Sequence, residues 1–83
     1  MTTQIDSITD LVKHIVREMV DDPDQVKVST VEGSQSLVIE VSVAKSDMGK
    51  LIGRSGRNIN AIRTILTAAS ATADIRTVLE VIE

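Results

Sequence analysis

Gly53 and Gly56 bracket Arg54 and Ser55, and a stretch rich in Ile and Ala opens directly after them. Paired glycines let a backbone bend tightly and approach a ligand with no Cβ in the way. A helix starting at that point aims its free N–H groups and positive dipole end over the turn. Arg54 and Ser55 at the tip, with Lys50 and Arg57 beside it, add cationic and hydroxyl donors. These residue types at this spacing suit the clamping of a phosphate group. Competing phosphate motifs fail: no Gly-Lys-Ser/Thr string completes a P-loop, and Leu51 stands where a dinucleotide fingerprint needs glycine.

Charge sharpens this reading. The 83 residues carry a net charge of −3, yet Lys45, Lys50, Arg54, Arg57 and Arg63 face a single acid, Asp47, between positions 45 and 63. That segment is +4 and the remainder −7, so an acidic average conceals a basic patch centred on the glycine turn. Phe, Tyr and Trp are absent, which leaves bases no aromatic ring on which to stack. Cysteine is absent as well, excluding disulfides, thiol catalysis and Cys-ligated metal centres. His14 falls on the polar face of a helical stretch between Lys13 and Arg17 and reads as a surface histidine. With a single His, no Ser–His–acid arrangement is legible. Asp21, Asp22 and Asp24 lack the glycine and glutamate of a calcium loop, so they read as a polar turn. Met19 and Met48 read as core fillers. No enzyme, cofactor or metal is expected.

Six elements are expected to position the glycine turn. Apolar residues at Ile8, Leu11, Val12, Ile15, Val16 and Met19 follow the rhythm of an amphipathic helix over Ile5–Val20. Asp6, Ser7 and Asp10 are expected to serve its start, and Pro23 to end it. Val26–Val31 and Ser36–Val43 read as two strands joined by a tight turn at Glu32–Gln35. In the second, Leu37, Ile39, Val41 and Val43 point one way. Ser46 is expected to cap a short helix, Asp47–Ile52. A longer helix follows from Arg57 to Ala73, turning Ile59, Ile62, Leu66, Ala69 and Ala73 toward the sheet. Ile75–Ile82 closes the chain as a strand. The expected fold class is α+β, a two-layer sandwich in the order α-β-β-α-α-β. A three-stranded mixed sheet would carry the helices on one face, as a single domain over residues 1–83. No apolar run approaches the ~20 residues of a membrane span, and Met1–Thr9 holds no signal segment; a cytoplasmic protein is expected.

The string from Met48 to Arg57, with Ile59, Ala61, Ile62 and Arg63 after it, resembles the I-G-x-x-G-x-x-I signature of the KH domain. That module binds single-stranded RNA or DNA, and its G-x-x-G loop clamps the nucleotide backbone. The element order resembles the type II form, and the resemblance covers nearly the whole chain. Asp21–Asp24 and the Ser46–Lys50 lead-in are similar to the acidic turn and S/A-x-D-M-G-K string of small stand-alone bacterial KH proteins, the KhpA family. Arg54-Ser55 departs mildly from a loop tip where Lys is frequent, and keeps the positive charge.

The resemblance implies an RNA-binding site. Gly53, Arg54, Ser55 and Gly56 would hold the backbone, supported by Lys50 and Arg57, with Asn60 and Arg63 further along the helix. Ile52, Ile59 and Ile62 would form an aliphatic groove floor under the bases. It also implies an RNA chaperone or post-transcriptional regulator, pairing with itself or with a larger KH-containing protein. Independently, the apolar arc of the second long helix spans roughly half its circumference, wider than the ~100° that one packing face requires. Ala61, Ile65, Ala68 and Thr72 on that flank are either buried between sheet and first helix or a dimer surface. Two alternatives stand beside the KH reading. One is a helix–turn–helix DNA binder that reads bases with Asn58, Asn60 and Arg63. The other is a protein-interaction module whose glycines only make a turn.

Overall fold

A computed structural model describes the backbone at positions 2–71 and 74–82, and the side chains at 5–71 and 74–82. The chain runs α1 (Thr2–Met19), β1 (Lys27–Glu32), β2 (Ser36–Ser42), α2 (Met48–Ile52), α3 (Arg57–Ser70) and β3 (Arg76–Val81), with short 3-10 turns at Pro23–Gln25, Lys45–Asp47 and Arg54–Gly56. The sheet order is β1-β2-β3. β1 pairs antiparallel with β2, as a hairpin must, and Gly33 N–H closes the connection on Ser36 O at 2.8 Å. β3 runs parallel to β2, because α2 and α3 supply the crossover that returns the chain to the same end. The expected α+β order and mixed sheet are therefore observed.

Alternation in β2 sets the layers. Leu37, Ile39 and Val41 have no exposed surface and face α1, α2 and α3. Ile8, Val12 and Val16 of α1, Leu51 of α2, Ile59, Ile62 and Leu66 of α3, and Leu79 of β3 complete one aliphatic core. Without aromatics the core relies on branched side chains, each stabilising the fold by roughly 1.5–3 kcal/mol on burial.

Several local expectations need correction. α1 begins at Thr2 rather than Ile5, since nothing between these positions breaks a helix, so Asp6, Ser7 and Asp10 lie inside it and cap nothing. Ser46 sits in the Lys45–Asp47 turn, and no side chain caps α2. Ala69 is exposed; Ser70 takes the sheet-facing position and satisfies its hydroxyl on Leu66 O at 2.7 Å. The expected helical residues Thr72 and Ala73 lie outside the described residues.

Candidate nucleic-acid interface

The glycine turn is built from three positive-φ conformations, at Gly53, Ser55 and Gly56, around one exposed tip. The last hydrogen bond of α2 runs from Gly53 N–H to Gly49 O at 2.9 Å. Gly53 then adopts φ 76°, ψ 171°, Ser55 φ 57°, ψ 27°, and Gly56 φ 76°, ψ 15° before α3 begins. Gly56 N–H returns to Gly53 O at 3.1 Å and fixes the reversal. Among the described residues, the N–H groups of Arg54 and Ser55 donate to no backbone carbonyl. Both side chains are exposed. Two unused backbone donors thus stand beside the positive end of a fourteen-residue helix.

Residues outside the loop hold it in place. The Asn58 side chain donates from Nδ2 to Lys50 O at 2.8 Å, tying the first turn of α3 to a carbonyl that α2 leaves free. At the other end of α2, Asp47 is buried to 1% exposure and accepts the backbone N–H groups of Asp21 and Asp22 at 3.2 and 3.1 Å. The five-residue α2 is thereby strapped to α3 at one end and to the turn after α1 at the other. Neither strap follows from the sequence reading, which gives Asn58 as a base reader of the DNA-binding alternative and Asp47 as the one acid of the basic segment and the start of a helix. The available signal was the habit of Asn and Asp of bonding nearby backbone. Lys50 Nζ forms an ion pair with Asp21. This hydrogen bond, ahead of the nearby charges, holds the Lys50 ammonium above its ordinary pKa of 10.5. It stays charged at neutral pH.

The structure leaves the expected cations exposed and separates the expected aliphatic residues. Lys50, Arg54, Arg57 and Arg63 are exposed around the loop and along α3. Ile59 and Ile62, expected under the bases, are core residues with 5% and 2% exposure, so they brace α3 from beneath. Ile52 keeps half-buried surface and, with Val43 and Met48, lines an apolar hollow of about 580 Å³ edged by Lys45. Asn60 Oδ1 accepts Arg63 Nη1 at 3.0 Å, and Arg63 Nη2 reaches Leu79 O at 3.2 Å. The would-be DNA readers Asn58, Asn60 and Arg63 are therefore all engaged within the protein. On the α3 flank, Ala61, Ile65 and Ala68 are exposed, while Thr72 lies outside the described residues. Among the described residues no group of three or more His, Asp or Glu side chains could hold a metal ion. No described helix is long and apolar enough to cross a membrane.

Comparison with known proteins finds relatives over nearly the whole chain. A family model described as the KhpA/KhpB KH domain matches residues 9–81. The chain is 47% identical over 73 residues to the RNA-binding protein KhpA of Caldanaerobacter subterraneus, covering 88% of this chain and 97% of that one. It is 42% identical over 77 residues to the RNA-binding protein KhpA of Aquifex aeolicus, covering 93% and 98%. In three dimensions it resembles Aquifex aeolicus Era with a TM-score of 0.61 at 19% identity, covering 89% of this chain and 29% of the Era chain. That likeness speaks to the fold alone.

Proposed function

Since the chain belongs to the KhpA/KhpB family of KH domains, we propose that it binds single-stranded RNA by holding the sugar-phosphate backbone on the Gly53–Gly56 loop. The observation that carries this reading is the loop itself. Arg54 and Ser55 N–H groups are unspent at the head of α3 among the described residues, and the exposed Lys50, Arg54 and Arg57 flank them in the chain. A phosphate there meets two donors, a helix dipole and mobile cations at once. The aliphatic hollow at Val43, Met48 and Ile52 offers apolar support without ring stacking. Short, loosely specified sites of modest affinity follow, in keeping with an RNA chaperone or post-transcriptional regulator.

Titration with short single-stranded RNA, single-stranded DNA and duplex DNA tests the proposal. Single strands should bind, with log K falling against log salt at a slope of about −2 to −3, the value for three or four phosphate contacts. Preference for duplex would overturn the reading.

The same family membership favours assembly. We assign the exposed flank of α3 to self-association, or to pairing with a larger KH-containing protein. Ala61, Ile65 and Ala68 recur at one-turn spacing, and Ile65 is 44% exposed although it lies beside a core helix face. Small neighbours let a second helix approach closely, and two weak sites on one dimer gain avidity through effective concentration. Ile65→Glu should shift sedimentation to the monomer while moving the melting temperature of the monomer little, because Ile65 belongs to no core cluster. A dimer that persists in this variant would exclude the α3 flank.

A further inference from the structure

The helices cover one face of the sheet and leave the other to solvent, and that second face is not uniformly polar. Leu37, Ile39 and Val41 of β2 and Leu79 of β3 are buried under the helices, so Val38, Glu40, Val78 and Glu80 point the other way. The register arranges the open face in rows across the strands. Val31, Val38 and Val78 form one row, and Glu40 and Glu80 form the next. Ser36 and Arg76 form the row on the other side of the valines. Val31 is 56% exposed, and Val38 and Val78 are half-buried. Single exposed valines are ordinary, whereas three in line across every strand make an apolar stripe.

The charged rows on either side of the stripe are incomplete. Among the described residues the one ion pair joins Lys50 to Asp21, so Arg76, Glu40 and Glu80 have no partner of opposite charge. Glu40 and Glu80 are direct cross-strand neighbours, an arrangement that like charges disfavour. Arg76 cannot relieve them, since four residues along one strand separate it from Glu80 by about 13 Å. Two adjacent carboxylates also make this face a poor surface for a polyanion.

We propose that the open sheet face pairs with the same face of a second copy of the chain, valine row on valine row. The two-fold axis of such a pair runs along the valine row and reverses the strands, so the row on one side of the valines falls over the row on the other. Arg76 of each copy then meets Glu80 of the other, and Ser36 of each meets Glu40 of the other. Sheets packed face to face lie about 10 Å apart, within reach of facing Arg and Glu side chains. One symmetry operation covers both apolar stripes and supplies the missing counter-charges, and this complementarity selects a second copy over an unrelated basic protein. Three strands of six residues span about 14 Å by 20 Å. That is roughly 300 Å², against the ~800 Å² per partner of a stable interface. Pairing is therefore weak, near millimolar, and leaves the Ile65→Glu variant monomeric when dilute. It depends neither on RNA binding nor on the α3 flank.

Sedimentation equilibrium of the full chain carrying Ile65→Glu, from micromolar to millimolar concentration, tests the proposal. This parent should be monomeric when dilute and dimeric at the top of the range, less so as salt rises. Adding Arg76→Glu, or Glu80→Arg, makes like charges meet twice and should weaken association at least tenfold. An equal mixture of those two variants should associate about as tightly as the parent, because each supplies the charge the other lacks. The double variant Arg76→Glu/Glu80→Arg should recover in the same way, which no loss of folding could imitate. Val31→Lys, on the far strand from these charges, should remove pairing. A parent that stays monomeric at millimolar concentration, or a mixture no tighter than its components, would overturn the proposal. Recovery in the mixture with full association of Val31→Lys would overturn it too, since antiparallel pairing of two β3 edges also brings Arg76 to Glu80 but leaves Val31 outside. A parent already dimeric when dilute counts against the α3 flank alone, and the charge exchange still decides the sheet face.

Discussion

Replacing Arg54 and Ser55 together by Asp is expected to weaken RNA binding on the order of 100-fold while leaving the fold intact. Three units of charge change sign or appear at the tip, and the two free N–H groups would then sit behind carboxylates. Losing hydrogen bonds to a charged phosphate costs about 1.5–3 kcal/mol each, before repulsion is added. The fold should tolerate the change for reasons visible in the loop. Both side chains are exposed, so neither leaves a cavity. Ser55 occupies the left-handed region at φ 57°, where Asp is among the few side chains that sit readily. Negative charge ahead of α3 is also favourable to its dipole. The melting temperature should therefore stay within a few degrees of wild type, and the binding loss can be assigned to the loop. Retained binding in the folded variant would remove the loop from the site.

The order of elements and the glycine turn were legible because their signals are local. Strict alternation through Leu37, Ile39 and Val41 needs only the two-residue period of a strand, and the structure buries all three. Gly53 and Gly56 could be read as a tight turn because no other residue type serves there so well. Tertiary pairing was not legible. Asp47 meets N–H groups more than twenty positions earlier, and Arg63 meets a carbonyl sixteen positions later. No spacing rule marks such partners. Burial around α3 was legible only in part. The stripe through Ile59, Ile62 and Leu66 is buried against the sheet as its spacing requires, but several helical faces are apolar at once, so the rhythm cannot say that Ile65 faces outward or that Ile59 and Ile62 lie too deep to floor a groove.

The acidic average likewise hid its own use. A negative remainder surrounding a short basic segment repels polyanions everywhere but at the loop, so net charge and local charge have opposite consequences for RNA. The Lys50–Asp21 ion pair carries this opposition into the site itself, since one of the loop cations is held by that remainder in the free protein.

Gly53→Ala should be the most damaging single methyl group that can be added to the molecule's loops. At φ 76° and ψ 171°, Gly53 lies in a region open essentially to glycine alone, where another residue costs about 1–3 kcal/mol. A Cβ there would stand 2.6 Å from Asn58 Cγ and 2.9 Å from the Asn58 backbone nitrogen. The second of these is main chain at the head of α3, which no side-chain rotation relieves. Relief requires α3 to move away from α2, and that breaks the Asn58–Lys50 latch holding the loop. Strain and crowding together should cost about 3 kcal/mol, a fall in melting temperature on the order of 15–20 °C for a domain of this size. Two other glycines calibrate the effect. Gly56 shares the positive φ but its Cβ would meet nothing closer than 3.5 Å, so Gly56→Ala should cost only the conformational part, about 1 kcal/mol. Gly49 is helical with open space around it, and Gly49→Ala should stabilise by about 0.5–1 kcal/mol. Thermal melts of the three variants should rank Gly49→Ala above wild type, then Gly56→Ala, then Gly53→Ala. If Gly53→Ala melts no lower than Gly56→Ala, Asn58 is not packed against the turn, and the loop owes its shape to glycine freedom alone.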